Sequence, residues 1–494
     1  MIRPLTTYSL ALSEVVNLVG AEFLNSSDAT FTGVALRDID VEAGDLFVAV
    51  SGANVHGASF FESARSRGAV AVLTDATGAE FVKEFPTLIV KDVRTAAAIV
   101  SASLYKNPTR DLSSIGITGT NGKTTVTMLL NQIFTAAHRD NGLIGTVETR
   151  IGSDVIESSR TTPEAPELQS LAAVMRERHM RHLVMEVSSH AIALKRVKGS
   201  HFAMVGFTNL SQDHLDFHGD MESYFREKAK LFTNEYADRA FINIDSEYGA
   251  RLAKECEIPF ASISHSNSQA EWHFTEVHAT SKGYEFKMLG TGGILIESRT
   301  YLVGSYNLDN LLLAVAIAHE SGVDPIEMAM IIPALVGAPG RLDPVNIGQD
   351  FAALVDYAHS PDAVSNVLKA AREFTAGRVI AVLGCGGNRD SSKRPLMGKA
   401  LIDGSDIAIF TSDNPRSEKP ADILKAMTSG LNVTSPSLVI EDRARAIEHA
   451  VNLALPTDTV LILGKGHENG QEIDGVVTAF DDRLHLAQAI EKKK

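Results

Sequence analysis

Leu112-Ser113-Ser114-Ile115-Gly116-Ile117-Thr118-Gly119-Thr120-Asn121-Gly122-Lys123-Thr124-Thr125 sets the fold class. Its first half is short and largely apolar, as a buried strand requires. Its second half is a Gly-rich turn that runs into an amphipathic pattern from Lys123 to about Ala137, a helix. A strand, a Gly-rich loop and a helix N-terminus in this order make a phosphate cradle. Glycines let the backbone approach the oxygens, Lys123 brings positive charge to the β and γ phosphates, and Thr124 is placed to reach Mg²⁺. The spacing departs from the general Walker A pattern, because the position five before Gly122 is Ile117 and not Gly. ATP is the default nucleotide.

Outward from that point the same alternation recurs. Strands are predicted at Leu46–Val50, Ala69–Leu73, Thr87–Val90, His182–Val187, Ala203–Thr208, Ala240–Ile244, Ala352–Asp356, Arg378–Leu383, Ile407–Thr411 and Thr459–Leu463, with helices such as Arg94–Leu104 between them. Short apolar runs alternating with helices predict an α/β protein whose parallel-rich sheets are covered on both faces. Two punctuated stretches, Lys106-Asn107-Pro108-Thr109 and Gly337-Ala338-Pro339-Gly340, read as linkers. They divide the chain into 1–108, 109–340 and 341–494, a three-domain expectation suited to 494 residues.

Hydrophobic residues make up 44% and charged residues 22%, which excludes general disorder. Forty-six Lys plus Arg against 61 Asp plus Glu give a formal charge of −15, which argues against nucleic acid as a partner. The apolar run Leu311–Ala318 is too short to span a bilayer, so no membrane insertion is expected. Cys256 and Cys385 cannot form a disulfide framework, and the N-terminus lacks the pattern of a secretory signal, so a reducing cytoplasm is the expected location.

Polar clusters follow several predicted strands, where ligands of open α/β sheets gather. Glu186, in Met185-Glu186-Val187-Ser188-Ser189-His190, is placed to serve Mg²⁺. Asp213, His214, Asp216 and His218 crowd the loop Ser211–His218 without zinc-ligand spacing, so a magnesium or phosphate role fits better. Lys228 and Lys230 read as ordinary surface lysines. Farther on, Gly384-Cys385-Gly386-Gly387-Asn388-Arg389-Asp390, Asp413-Asn414-Pro415-Arg416 and Gly464-Lys465-Gly466-His467-Glu468 each follow a strand and should line one crevice. Two guanidinium forks with Glu468 suit a zwitterion that carries more than one carboxylate.

Taken in order, TGTNGKTT, TTPE (Thr161–Glu164), MEVSSH, DHLDFHGD, YNLDN (Tyr306–Asn310), DYAHSPD (Asp356–Asp362), GGNRD, DNPR and GKGHE make the whole chain resemble the Mur ligases of peptidoglycan synthesis. The likeness is greatest to members that add the third stem-peptide residue. The resemblance implies a UDP-MurNAc-binding N-terminal domain, a central ATPase and a C-terminal Rossmann-like domain for the amino acid. It implies ATP contacts at Gly119, Thr120, Asn121, Gly122, Lys123, Thr124, Thr125, Asn307 and Asp356. UDP-MurNAc-dipeptide contacts are implied at Asn54, Thr161, Thr162, Ser188 and Arg196. Meso-diaminopimelate contacts are implied at Arg389, Asp413, Asn414, Arg416, Gly464 and Glu468. Lys123, Glu186, His214 and Lys228 become the catalytic set, with Thr124, Glu186, His214 and a carbamylated Lys228 serving Mg²⁺, and a monomer is expected.

Two positions depart from the family pattern. Where many members carry an Asp-Ser-Arg tripeptide, the matching stretch here reads Ala35-Leu36-Arg37-Asp38-Ile39-Asp40, and a family glutamine corresponds to Leu194. His359 or a carboxylate stays open as an aid to deprotonating the amine. A folylpolyglutamate synthetase, or a nucleotide-binding scaffold without ligase activity, are the competing readings.

Overall fold

The computed structural model of the chain describes residues 1–52, 54–158, 160–280 and 283–493. Among these residues the strands form three principal sheets, each with apolar clusters on both faces. The N-terminal sheet orders Glu22–Leu24, Thr87–Ile89, Ala71–Thr74, Asp45–Val48 and Gly33–Ala35; only the first pair is antiparallel.

The central sheet is parallel from Asn141–Ile144 through His182–Glu186, Ser113–Thr118, Phe202–Phe207, Ala237–Asn243 and Phe260–Ser264 to Trp272–Thr280. Antiparallel strands extend it at both ends: Glu148–Ile151 and Asp154–Glu157 at one, Gly283–Gly290 and Ile294–Thr300 at the other. These additions are legible only at period two: Tyr284, Phe286 and Met288 turn inward while Glu285 faces out. The C-terminal sheet orders Asp343–Pro344, Ala352–Asp356, Thr459–Leu463, Val379–Cys385, Ile407–Ser412 and Leu438–Val439 and is parallel except at Asp343–Pro344.

The helix Tyr306–Glu320 packs beside Lys123–Ala136 on one face of the central sheet. Leu308, Leu311, Leu312, Leu313, Val315 and Ile317 are all buried there, each contributing about 1.5–3 kcal/mol relative to exposure. The apolar run seen in the sequence is therefore a core helix, and among the described residues no helix is long and apolar enough to cross a membrane.

The stretch Lys106–Thr109 is not an open linker. Asn107 is left-handed (φ 50°) and Pro108 opens a helical turn, Pro108–Asp111, as a residue that needs no N–H partner at the first helical position. Pro108 and Thr109 are buried, and Thr109 accepts from the N–H of His201. Gly340, at φ 67°, packs its backbone against Gly466 and His467, so a Cβ there would stand 2.3 Å from the His467 nitrogen.

Candidate active site

Several helices of the fold are entered through a side-chain cap; Asp92, Ser188, Asp220 and Ser360 each accept from the first turn of their helix. The helix Lys123–Ala136 differs. It is entered from Gly122 at φ 88° with no side-chain cap, which leaves its first N–H groups for an anion. The loop before it is tied to the neighbouring strand end: Thr120 N donates to Asn209 O, Asn121 N to Asn209 Oδ1, and Thr208 Oγ1 to Asn121 O. Lys123 folds back over the loop, with Nζ 3.0 Å from Gly119 O and 2.9 Å from Thr120 O. Burial lowers its pKa, and the charge of Glu186 opposes that shift.

Glu186 ends its strand buried beside this loop and receives Thr124 Oγ1 at 3.0 Å, Thr146 N at 2.7 Å and Thr146 Oγ1 at 3.1 Å. Thr146 Oγ1 also lies within hydrogen-bond distance of Thr161 Oγ1, 2.9 Å away. One chain of hydrogen bonds therefore runs from the phosphate loop to the Thr-Thr-Pro-Glu loop. A cavity of about 660 Å³ opens over it. Thr120, Asn121, Gly122, Lys123, Thr124, Thr125, Thr161, Glu186, Ser188, His214 and Asp356 all line this cavity.

Asp213 and His214 stand at the cavity wall, and the opposing side comes from the C-terminal part of the chain. Lys393 Nζ lies 3.2 Å and His359 Nε2 3.5 Å from the Asp213 carboxylate, with His214 Nε2 at 3.6 Å. Burial works against the Asp213 charge, but His359, His214 and Lys393 hold its carboxyl well below the usual range. Burial pushes His214 down to about 3, against the charge of Asp213, so its imidazole is neutral at neutral pH.

The reading of Lys228 as a surface lysine is corrected here. Lys228 is 1% exposed, because Tyr224 and Phe225, four and three residues before it, put it on the inner face of Met221–Ala229. Lys230 is the exposed one and pairs with Glu227. Lys228 Nζ donates to Gly119 O at 2.9 Å beneath the phosphate loop and sits over the Tyr224 ring. Burial and the nearby charge of Lys123 drive its pKa well below that of a free amine.

The donor set suits a hard cation held partly by substrate oxygens. Thr124 and Glu186 offer oxygen and His214 a neutral imidazole, whereas the unmodified Lys228 nitrogen is a poor donor to a hard cation. Among the described residues no three His, Cys, Asp or Glu side chains gather as a metal cage.

Some expected residues stand behind the cavity. Gly119, at φ 147°, lies so close to Thr208 that a Cβ would collide with its hydroxyl. Asn307 spends its amide on Val303 O and on Asn310, whose side chain stands beside Gly122. Thr162 is buried, bonding Glu186 O, while Arg196 bonds Thr162 O and pairs with Glu164. Asp356, on the cavity wall, accepts from Leu342 N and Ala358 N, and burial raises its pKa. Asn54 is an exposed residue of the N-terminal segment, outside this cavity.

The C-terminal loops meet in a separate cluster. Asn414 Nδ2 donates to Glu468 Oε2 at 2.8 Å, Arg416 Nη1 donates to Gly387 O at 2.7 Å, and Gly464 packs against Asp413. Arg389 is exposed on the first of these loops. Sequence reasoning missed Lys465, whose fully buried Nζ bridges Asn414 Oδ1 and Glu468 Oε2 at 3.1 Å each. It also missed Thr146, Lys393, Glu472 and Arg341, the last a residue of the cavity lining; spacing carries no signal for contacts between such distant segments.

A phosphate loop over a cavity walled by a second α/β unit defines a multidomain nucleotide-binding enzyme class. The comparisons are more specific. Residues 117–318 match the Mur ligase middle domain, 340–466 the Mur ligase glutamate ligase domain, and 30–104 the catalytic domain of the Mur ligase family. A UDP-N-acetylmuramoyl-L-alanyl-D-glutamate–2,6-diaminopimelate ligase of Streptomyces coelicolor is 46% identical, over 99% of this chain and 98% of that one. The corresponding ligase of Corynebacterium glutamicum is 42% identical over 91% and 89%. A solved structure of a ligase with the same name superposes with a TM-score of 0.68 at 30% identity, covering 99% of each chain. The chain belongs to the Mur ligase family.

Proposed function

We propose that this chain is an ATP-dependent amide ligase of peptidoglycan precursor synthesis. It joins meso-2,6-diaminopimelate to the D-Glu side-chain carboxylate of UDP-N-acetylmuramoyl-L-alanyl-D-glutamate. The carrying observation is the hydrogen-bonded chain Thr124–Glu186–Thr146–Thr161, which puts the phosphate loop and the Thr-Thr-Pro-Glu loop on one cavity. The relatives' names and near-complete mutual coverage support the substrates.

A carboxylate is a poor acyl donor because oxide would have to leave, so ATP first phosphorylates it. The amine then attacks the acyl phosphate, and phosphate departs through a tetrahedral intermediate. Lys123 and the uncapped helix N-terminus neutralise charge on the transferring phosphoryl group, where positioning and electrostatics dominate catalysis. Thr124, Glu186, His214 and Lys228, the last as a carbamate, would hold Mg²⁺, which supplies further charge neutralisation there. Thr161, Thr162, Ser188 and Arg196 orient the dipeptide, and Asn54 is assigned to the UDP end. The divisions at 108 and 340 give the three substrates separate domains, and the Asp213–Lys393 contact ties the ATP side to the amino-acid side.

Arg416, with Arg389, Asp413, Asn414, Gly464 and Glu468, receives the amino acid, its guanidinium meeting the carboxylate that lysine lacks. Phosphate release with Mg-ATP and the UDP-MurNAc-dipeptide, comparing meso-diaminopimelate, L-lysine and L-ornithine, tests the reading. Turnover far more efficient with diaminopimelate than with lysine or ornithine is expected. Turnover with lysine as efficient as with diaminopimelate would overturn the pocket assignment, and silence with all three would overturn the function.

A further inference from the structure

Beside Arg416 the chain places a carboxylate of its own. The hairpin of Gly470–Ile473 and Val476–Ala479 is sewn to the Asp413–Arg416 loop through its backbone. Arg416 N donates to Glu472 O at 3.0 Å, Asp474 N to Arg416 O at 2.7 Å, and Glu472 N to Asn414 Oδ1 at 3.0 Å. These links hold residue 472 next to a guanidinium whose own backbone is left-handed (φ 54°). Glu472 Oε2 lies 3.3 Å from Arg416 Nε, while Gly387 O takes Nη1. Both side chains stay partly wet, Arg416 at 25% and Glu472 at 38% exposure. A pair of this kind is weak enough to exchange, whereas a substrate carboxylate docked on the fork gains two parallel hydrogen bonds.

We propose that Glu472 is a resident counter-ion of Arg416, displaced by the second carboxylate of a diamino dicarboxylate, and that it sets how sharply the site separates such a substrate from a monocarboxylic diamino acid. The proposal rests on the assignment of Arg416 to the amino-acid pocket. Its logic is an exchange of anions. Diaminopimelate must displace Glu472, which weakens its binding. Lysine leaves Glu472 in place, so no guanidinium is stranded without an anion and the penalty against lysine shrinks.

Glu472→Gln in the full chain keeps the backbone links and the side-chain size while removing the charge. Initial rates of phosphate release, with diaminopimelate and lysine varied separately, give the outcome. The KM for diaminopimelate should fall about two- to fivefold, the range an exposed pair supports, with the KM for ATP unchanged. The ratio of kcat/KM for diaminopimelate over lysine should widen by at least that factor. A raised KM for diaminopimelate, or a ratio that narrows or stays put, would overturn the proposal, since a carboxylate that merely orients Arg416 has the opposite sign. Absence of diaminopimelate-dependent turnover in the unsubstituted chain overturns the function itself, and the proposal with it, before any variant is compared.

Discussion

Arg443 should act as a buried strut beneath the amino-acid loops, and its removal should be costly in a way that its partner's removal reverses. Arg443 and Asp482 are both fully buried and joined by two charge-assisted hydrogen bonds of 2.7 and 2.6 Å. The same guanidinium donates to Ser412 O at 3.2 Å and Leu463 O at 3.0 Å, the carbonyls just before Asp413 and Gly464. Arg443→Met leaves a buried carboxylate without a partner and strands two carbonyls, a loss of about 3–5 kcal/mol. For an unfolding block of about 150 residues that is a fall in melting temperature on the order of 10 °C. Arg443→Met with Asp482→Leu removes the orphaned charge and leaves only the carbonyls short of donors, about 1–3 kcal/mol. Calorimetry on the wild type, the single and the double variant should therefore rank the double between the other two. Parallel kinetics should show the KM for the amino acid rising while that for ATP holds. A double variant as unstable as the single, or a single variant costing less than about 1 kcal/mol, would refute the assignment of the loss to an unpaired buried charge.

Three other consequences can be measured. Burial opposes the Asp458 charge, but Arg378 and backbone N–H groups win and hold its pKa below the ordinary 3.8, so its stabilisation is present above that pH and drains away as pH falls through the folded-state value; acid unfolding of Asp458→Asn should be flatter below about pH 4. Gly340→Ala forces a Cβ onto the His467 nitrogen at a left-handed backbone, so it should cost about 1–3 kcal/mol by denaturant titration. Lys228→Met fills the same buried space without a desolvated amine, so the protein should melt no lower while phosphate release falls at least about a hundredfold, the scale of a lost charge-stabilising group; activity of the wild-type chain should also decline in carbon dioxide-depleted buffer.

Lys228 shows where the sequence was readable and was still misread. Its helix forms over Met221–Ala229, and only the side chains at 224, 225 and 228 reveal which face is buried. That signal was present as an i, i+4 relation and was outweighed by the ordinary behaviour of lysine. The strands Gly283–Gly290 and Ile294–Thr300 were similarly available at period two but lay outside the strand–helix alternation followed elsewhere. Pro108 punctuates the chain and also opens the helical turn Pro108–Asp111, since a residue without an N–H begins a helix well.

By itself the sequence determined the α/β class, the phosphate loop and the polar runs at strand ends, because these depend on local periodicity, on glycine and on residues adjacent in the chain. Tertiary structure alone decided that Asp213 meets Lys393, 180 residues away, that Lys465 bridges Asn414 and Glu468, and that Glu472 stands beside Arg416. Those contacts arise from how sheets and hairpins pack, and the burial that lowers the pKa of Lys228 and His214 exists only once water has been excluded from the packed interior.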